Sequence, residues 1–349
     1  MGIMKILFAT ARNPHFPTIT EYIERAIRSL GHTLCSFNDR DFIFPGRLHK
    51  VFPRLGHFEI LRMNQRLVNA ACRERPHILL CAGGERILPS TVQAARAVGI
   101  ATALWTIDSV KLGDSRLALA PYFDFVFCGG TEMMQALEGP RLRNPPQWLP
   151  FACDPELHRP VKLSAEEKPS YDCDVAFVGS LHAGLYPNRL PMLEALADFD
   201  MGVWGPGVRD VPMSSPIHTK IHGDGIGYTE WTRIYSAARI VLCAHSTGSS
   251  GACRQASPRV YEVLACGGFL LCDDQPDVRA LFEDGRELVI FRNLTDLRER
   301  VRYYLDHDQK RSEIASRGRA KVLAEHTYRH RVAALIATVT GGKWEIQSR

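Results

Sequence analysis

No stretch of this 349-residue chain approaches the roughly 20 consecutive apolar residues that a membrane-spanning helix requires. The opening MGIMKILFATARN holds an apolar run that breaks at Arg12, too short for a signal peptide and better read as a first strand. No Cys-x-x-Cys pair occurs among the ten cysteines, and Cys266 and Cys272 have no histidines at zinc-site spacing, so a structural metal is not expected. Cys35, Cys81, Cys128, Cys243 and Cys272 sit instead in apolar runs, where cysteine serves as a small hydrophobe; reduced thiols and a cytoplasmic location follow as expectations. Long basic runs are missing too, and the net charge of +5 is small for the length, which argues against nucleic acid as a partner and against stable membrane insertion. The first loop, ATARNPHFPT, lacks G-x-G-x-x-G, so a nicotinamide or flavin dinucleotide is disfavoured there. The 27 glycines and 21 prolines are spread along the chain rather than gathered in a low-complexity tract. What remains is the composition of an ordinary globular protein, long enough for two domains that each bury a core.

The hydrophobic pattern alternates between period two and period 3.6. Apolar runs at 5–9, 33–37, 77–81, 101–107 and 124–128 read as strands, and helical patterns at 19–30, 59–75, 89–98 and 131–137 separate them. Such βαβ alternation implies a parallel sheet, hence a Rossmann-like domain over residues 1–150. Proline-rich and charged sequence follows, with Pro145-Pro146, Pro150, Pro155 and Pro160, and a linker is placed at 151–170. A second alternating series then runs over 171–325, from the strand 174–178 through strands at 201–204, 239–244, 269–272 and 287–290, and a last helix and polar tail occupy 326–349.

The second series centres on SPRVYEVLACGGFLLCDD, residues 257–274. Ser257 is a helix cap, Pro258 suits the first turn, and Gly267-Gly268 ends the helix before an apolar strand. A helix start with a cation beside it favours an anion: Arg259 adds a charge and a bidentate fork to the free backbone N–H groups, and Glu262, one turn on, is placed to accept from a ribose. Pairing of Arg259 with Glu262 on a solvated helix face is the competing reading.

The segments DVAFVGS with Arg189, GVWGPG, TEWTRIYSAARIVLCAH, the central SPRVYEVLACGGFLLCDD and HTYRHRVAALI follow one another in the order of a known family. Over residues 145–337 the chain resembles the CgeB-like (spore-maturation-protein-like) glycosyltransferases of GT-B fold, and the N-terminal half fits by pattern. The resemblance implies an α/β architecture of two Rossmann-like domains whose parallel sheets face across a cleft, the N-terminal one holding the acceptor and the C-terminal one a nucleotide-sugar donor. It implies transfer of a sugar from a nucleotide-diphosphate sugar to an acceptor (glycan, protein or small molecule), with retention as one outcome and without a metal or other cofactor. On that basis Glu262 resembles a ribose-binding glutamate; Arg259, Gly179, Ser180, His182 and Arg189 fall at the diphosphate, and Gly205 and Tyr228 at the base. Many retaining relatives carry E-x7-E, whereas Arg254 stands eight residues before Glu262 here.

Sugar transfer needs a base at the acceptor hydroxyl or strong stabilisation of the leaving phosphate. Asp108 at a strand end is a candidate base or acceptor ligand, with helix capping as the alternative; His15, in the loop after the first strand, is a second candidate. His245 follows a strand of the donor domain and is a third, with a surface-loop role as its rival. The basic run Arg47, His49, Lys50, Arg54 and His57, interleaved with Phe52 and Phe58, reads as an acidic-acceptor contact or as a solvated segment. A nucleotide-sugar epimerase or hydrolase on the same fold, and a non-catalytic sugar-nucleotide-binding module, are the functional alternatives.

Overall fold

The computed structural model describes residues 2–13, 17–44, 48, 51–106, 115–139, 141–227, 229–245 and 253–341. His15, Asp108 and Tyr228 lie outside them, as do Arg47, His49 and Lys50. The chain divides into two compact units, one built from Met1–Pro150 together with the helix Tyr328–Val339, the other from Phe151–Thr327.

The first unit carries a six-stranded sheet of β1 (Lys5–Thr10), β2 (Thr33–Asn38), β3 (Ile78–Ala82), β4 (Ala101–Thr106), β5 (Phe125–Cys128) and β6 (Gln147–Trp148), in the order β2-β1-β3-β4-β5-β6. Every pairing is parallel. β3 is buried along its whole length, as a strand covered on both faces must be, while β2 at the edge is half exposed. One β-strand of this sheet escapes the hydrophobic pattern: β6 is only two residues long, directly after Pro145-Pro146, and extends the sheet inside the proline-rich stretch. The helix Ile19–Ser29 begins in a capping box in which Thr18 and Glu21 satisfy each other's backbone ends. It packs against the helix Tyr328–Val339, with the Tyr22 and Tyr328 rings 5.7 Å apart. Buried Arg331 fixes the same helix to the unit by donating from Nε to the Pro150 carbonyl at 2.9 Å.

In the second unit β7 (Val175–Val178), β8 (Met201–Gly205), β9 (Ile221–Asp224), β10 (Ile240–Cys243), β11 (Leu270–Asp273) and β12 (Val289–Phe291) form a sheet in the order β12-β11-β10-β7-β8-β9. This is the doubly wound strand order of dinucleotide-binding folds. The order reverses between β7 and β10, which pair in parallel with Ile240 opposite Val175. Side chains of Val175, Phe177, Val203, Leu242 and Leu271 fill the core on one face of this sheet. Backbone carbonyl ends of β7 and β10 therefore meet at a crevice, where ligands of such sheets bind.

Candidate functional site

The loops that leave β7 and β8 are locked together by backbone. Gly179 N–H donates to the Trp204 carbonyl at 2.8 Å and Leu181 N–H to the Pro206 carbonyl at 2.7 Å. Gly205, at φ +141°, lies so close that a Cβ there would stand 2.2 Å from the Gly179 carbonyl oxygen. Farther along, Asp224 Oδ1 accepts from Gly207 N–H at 2.7 Å and Val208 N–H at 3.3 Å, and these two donors hold its pKa below the ordinary value. His182 faces Asp210 across 3.4 Å, exposed at the rim of this loop pair. Next to Tyr228, Gly227 N–H donates to Glu230 Oε2 at 2.5 Å.

Two arginines occupy the crevice between β7 and β10. Arg189 opens the short helix Arg189–Glu194 and is 4% exposed. Its Nη1 donates to the Ser180 carbonyl at 2.8 Å and its Nη2 to the Ala244 carbonyl at 3.2 Å, so one guanidinium ties the ends of β7 and β10 together. The Tyr186 ring covers it 3.5 Å away, a cation–π contact. Arg259 enters from the first turn of the helix Pro258–Ala265, and its Cζ lies 3.2 Å from where a Cβ of Gly179 would be. The missing side chain of Gly179 is what lets this guanidinium lie against the β7 loop. Among the described residues neither arginine has a carboxylate within 4.0 Å, and Arg189 Nε and Arg259 Nη1 are buried without a hydrogen-bond partner. Burial first, and then the charge of Arg259, pushes the Arg189 pKa down to about 10. Both remain cations at neutral pH: burial opposes the charge on Arg259, but its surroundings, Glu262 among them, carry its pKa above the ordinary value.

Glu262 sits one helical turn beyond Arg259, its side chain 17% exposed. Burial pushes its carboxyl up to about 7, against the opposing pull of Arg259. Its Oε1 lies 3.9 Å from Nε2 of the buried His158.

His245 follows β10 and is 3% exposed. Its Nε2 accepts the backbone N–H of Ser257 at 3.0 Å, so the ring proton is on Nδ1, which reaches Asp273 Oδ1 at 2.6 Å. Both ring nitrogens are thus spent on fixing the start of the helix that carries Arg259 and Glu262. Asp273 also accepts the His245 backbone N–H at 2.9 Å; burial pushes this carboxyl up, and the hydrogen bonds from His245 carry it below its ordinary value. His245 is therefore neither a surface-loop residue nor one with a nitrogen to spare for a ligand. Ser257 makes no side-chain cap bond, and the histidine takes over by satisfying the Ser257 backbone N–H.

The structure brings Gly179, Ser180, Arg189, Gly205, Arg259 and Glu262 to the carboxyl ends of β7, β8 and β10, and His182 to their rim. Arg254 contributes a backbone carbonyl to the Asp277 N–H at 3.1 Å. Sequence reasoning missed Tyr186, His158, Asp224 and Asp273. Asp273 alone carried a signal, as the first polar residue after the apolar run of β11.

Comparison with known proteins bears on the fold and on the family of the second half. A family model described as glycosyl transferase-like matches residues 189–337, a span that begins at Arg189 and takes in Arg259 and Glu262. No curated protein matches the chain. Among solved structures, a glycosyltransferase from Rickettsia africae ESF-5 superposes with a TM-score of 0.71 at 12% identity, over 98% of this chain and all of that one. Anabaena HepE, solved in complex with UDP and glucose, gives a TM-score of 0.65 at 14% identity, over 97% of this chain and 99% of that one. Sucrose-phosphate synthase from Thermosynechococcus elongatus gives 0.67 at 11%, over 97% and 98%. At these identities the likeness gives the fold, which is that of GT-B glycosyltransferases.

Proposed function

We propose that this chain is a glycosyltransferase that takes its sugar from a nucleoside-diphosphate donor held in the second unit. The observation that carries the reading is the pair of arginines at the ends of β7 and β10, Arg189 buried and Arg259 half-buried with its Nη1 enclosed. Placing two like charges in a desolvated crevice costs several kcal/mol per ion unless a counter-charge arrives, and each guanidinium keeps a buried N–H with no partner. A diphosphate supplies the charge and the acceptors at once. Glu262 is then placed for the ribose hydroxyls, and the base falls to the loops after β8. The glycosyl transferase-like match over 189–337 and the UDP complex of a protein with the same fold support this assignment.

The finer features are proposed with it. Within the class we place the chain in the CgeB-like branch, on the ordered segments between residues 145 and 337. The arginine pair does electrostatically what a divalent ion would do for the leaving diphosphate, so transfer is metal-independent, and EDTA is expected to leave both binding and turnover unchanged. We propose retention, through an oxocarbenium-like state that the stabilised diphosphate leaving group allows to form, with inversion by a base at the acceptor hydroxyl as the alternative; NMR of the product anomer decides between them. Ten free cysteines suit a reducing cytoplasm.

The test is calorimetric titration of the full chain with UDP, GDP, dTDP and their sugar conjugates. One selective diphosphate is expected to bind and its sugar conjugate to be turned over once an acceptor is present. Hydrolysis or epimerisation without an acceptor moves the chain to another reaction on the same fold. Tight binding with no turnover makes it a sugar-nucleotide sensor, and no binding at all removes the donor site.

A further inference from the structure

The first unit has its own strand-order reversal, between β1 and β3, and a cavity of about 140 Å³ opens there, lined from the ends of β1, β2 and β3. At its wall is Asp39, directly after β2, 3% exposed, with Oδ1 buried and, among the described residues, lacking a hydrogen-bond partner. The nearest cation, Arg86 Nη1, is 3.9 Å away, too far to donate. Burial therefore pushes the Asp39 carboxyl upward, against Arg86 and Arg40. A buried acceptor left without a donor costs on the order of 1–3 kcal/mol, and a ligand that brings the donor recovers it.

We infer that this cavity binds a neutral polyhydroxyl group, the sugar-like end of an acceptor, with one hydroxyl donating to Asp39 Oδ1. The charges on its wall choose the ligand class. Asp39 and Glu85 are balanced by Arg40 and Arg86, so neither a phosphate nor an ammonium group finds a net counter-charge. A vicinal diol suits both signs, since each hydroxyl donates to a carboxylate and accepts from a guanidinium. The rest of the wall is mixed: Thr10 and Thr18 come from the β1 side, Ile19 and Ala82 add apolar surface for the carbon face of a sugar, and the Gly83-Gly84 turn after β3 adds no side chain. Thr18 is already held by its capping box, so its position does not depend on a ligand. The assignment of this group to an acceptor rests on the transferase reading; the binding chemistry does not.

The test is saturation-transfer NMR on the full chain, with methyl α- and β-glycosides of glucose, galactose and mannose, glucose 6-phosphate and ethanolamine as separate probes. At least one neutral glycoside is expected to bind, and Asp39→Asn to weaken it by about tenfold or more, the value of one hydrogen bond to a charged group. Arg86→Gln, on the other charge of the same cavity, is expected to weaken the same probe, and both variants to bind UDP as the parent chain does. The inference is overturned if no neutral glycoside binds, if the phosphate or the amine binds in preference, or if both variants bind the glycoside undiminished. Glycoside binding through Asp39 in a chain that binds no nucleotide keeps the cavity and removes the transferase reading; UDP binding without any glycoside does the reverse.

Discussion

The two sheets reverse their strand order at equivalent places and furnish those places with opposite chemistry. Between β7 and β10 the crevice holds a buried and a half-buried guanidinium with no carboxylate within ion-pairing distance, among the described residues. Between β1 and β3 it holds two carboxylates and two guanidiniums around a small cavity. A doubly wound sheet supplies the location and says nothing about the ligand; the charge balance at the strand ends does. On the proposed readings, the excess of positive charge suits a polyanion and the balanced set a neutral, hydroxyl-rich group.

The sharpest way to break the comparison is through Gly205, which ends β8, and Gly83, which follows β3. Gly205 and Gly83 both have positive φ, +141° and +84°, but a Cβ on Gly205 would strike the Gly179 carbonyl, whereas a Cβ on Gly83 meets nothing within 4 Å. Gly205→Ala is expected to cost about 3 kcal/mol or more, strain plus a backbone clash, and to displace the Gly179 loop against which Arg259 lies. Gly83→Ala carries the backbone strain alone, about 1–2 kcal/mol. Chemical denaturation of the two variants measures both. Equal losses would mean that the β7 and β8 loops are not locked as described.

Next in size is the arginine that the Gly179 loop receives. Arg259→Ala is expected to weaken binding of whichever nucleoside diphosphate the chain selects by about 1.5–3 kcal/mol, the scale of one charge-assisted hydrogen bond, without lowering stability, because it removes a like charge beside Arg189. Arg189→Ala differs: it leaves the Ser180 and Ala244 carbonyls unpaired, so the melting temperature falls along with affinity. Calorimetry paired with thermal melts separates the two. If Arg259→Ala melts as low as Arg189→Ala, Arg259 is a structural residue and the anion site rests on Arg189 alone.

These residues also show how much could be read before any coordinates. The alternation of strand and helix, the positions of most strands and the helix start at Pro258 follow from periodicity and capping signals that act within a few residues of themselves. β6 and β9 do not: β6 has two residues and β9 is an exposed edge, IHGD, too short and too polar for a period-two pattern. Arg259 and Glu262 were legible because a helix start is a local feature. Arg189 was legible only by resemblance, and its tie to Ala244, 55 positions away, is set by sheet order. His245 shows the limit most clearly. Its place at a strand end suggested chemistry or a surface loop, and only the register of β10 against β11, with Cys243 opposite Cys272, puts Asp273 beside it. The return of the helix Tyr328–Val339 to the first unit is likewise a matter of packing between distant segments that no local pattern announces.

The smallest expected effect sets the two crevices apart by their protons. Glu262, pushed up to about 7 by burial, is largely protonated below neutrality, and a ribose hydroxyl is held better by a carboxylate than by a carboxylic acid. The bound state then favours the ionised form, so donor affinity rises as pH climbs toward 7, by at most about 1.4 kcal/mol per pH unit, and levels off above it. Binding at pH 6.5 releases a proton. The same raised pKa works in the opposite sense on the empty protein, whose folded state holds the proton more tightly than the unfolded chain, so this group's contribution to stability is lost as pH rises from about 4.5 through 7. Titrating UDP-glucose, whose phosphates do not change protonation in this range, in two buffers of different ionisation enthalpy measures the released proton directly. Glu262→Gln should abolish the release and weaken UDP-glucose while leaving pyrophosphate binding unchanged. Equal loss of both ligands would put Glu262 at the phosphates rather than the ribose. A release that persists in Glu262→Gln would move the titrating group elsewhere, with His158, 3.9 Å from the carboxylate, as the first place to look.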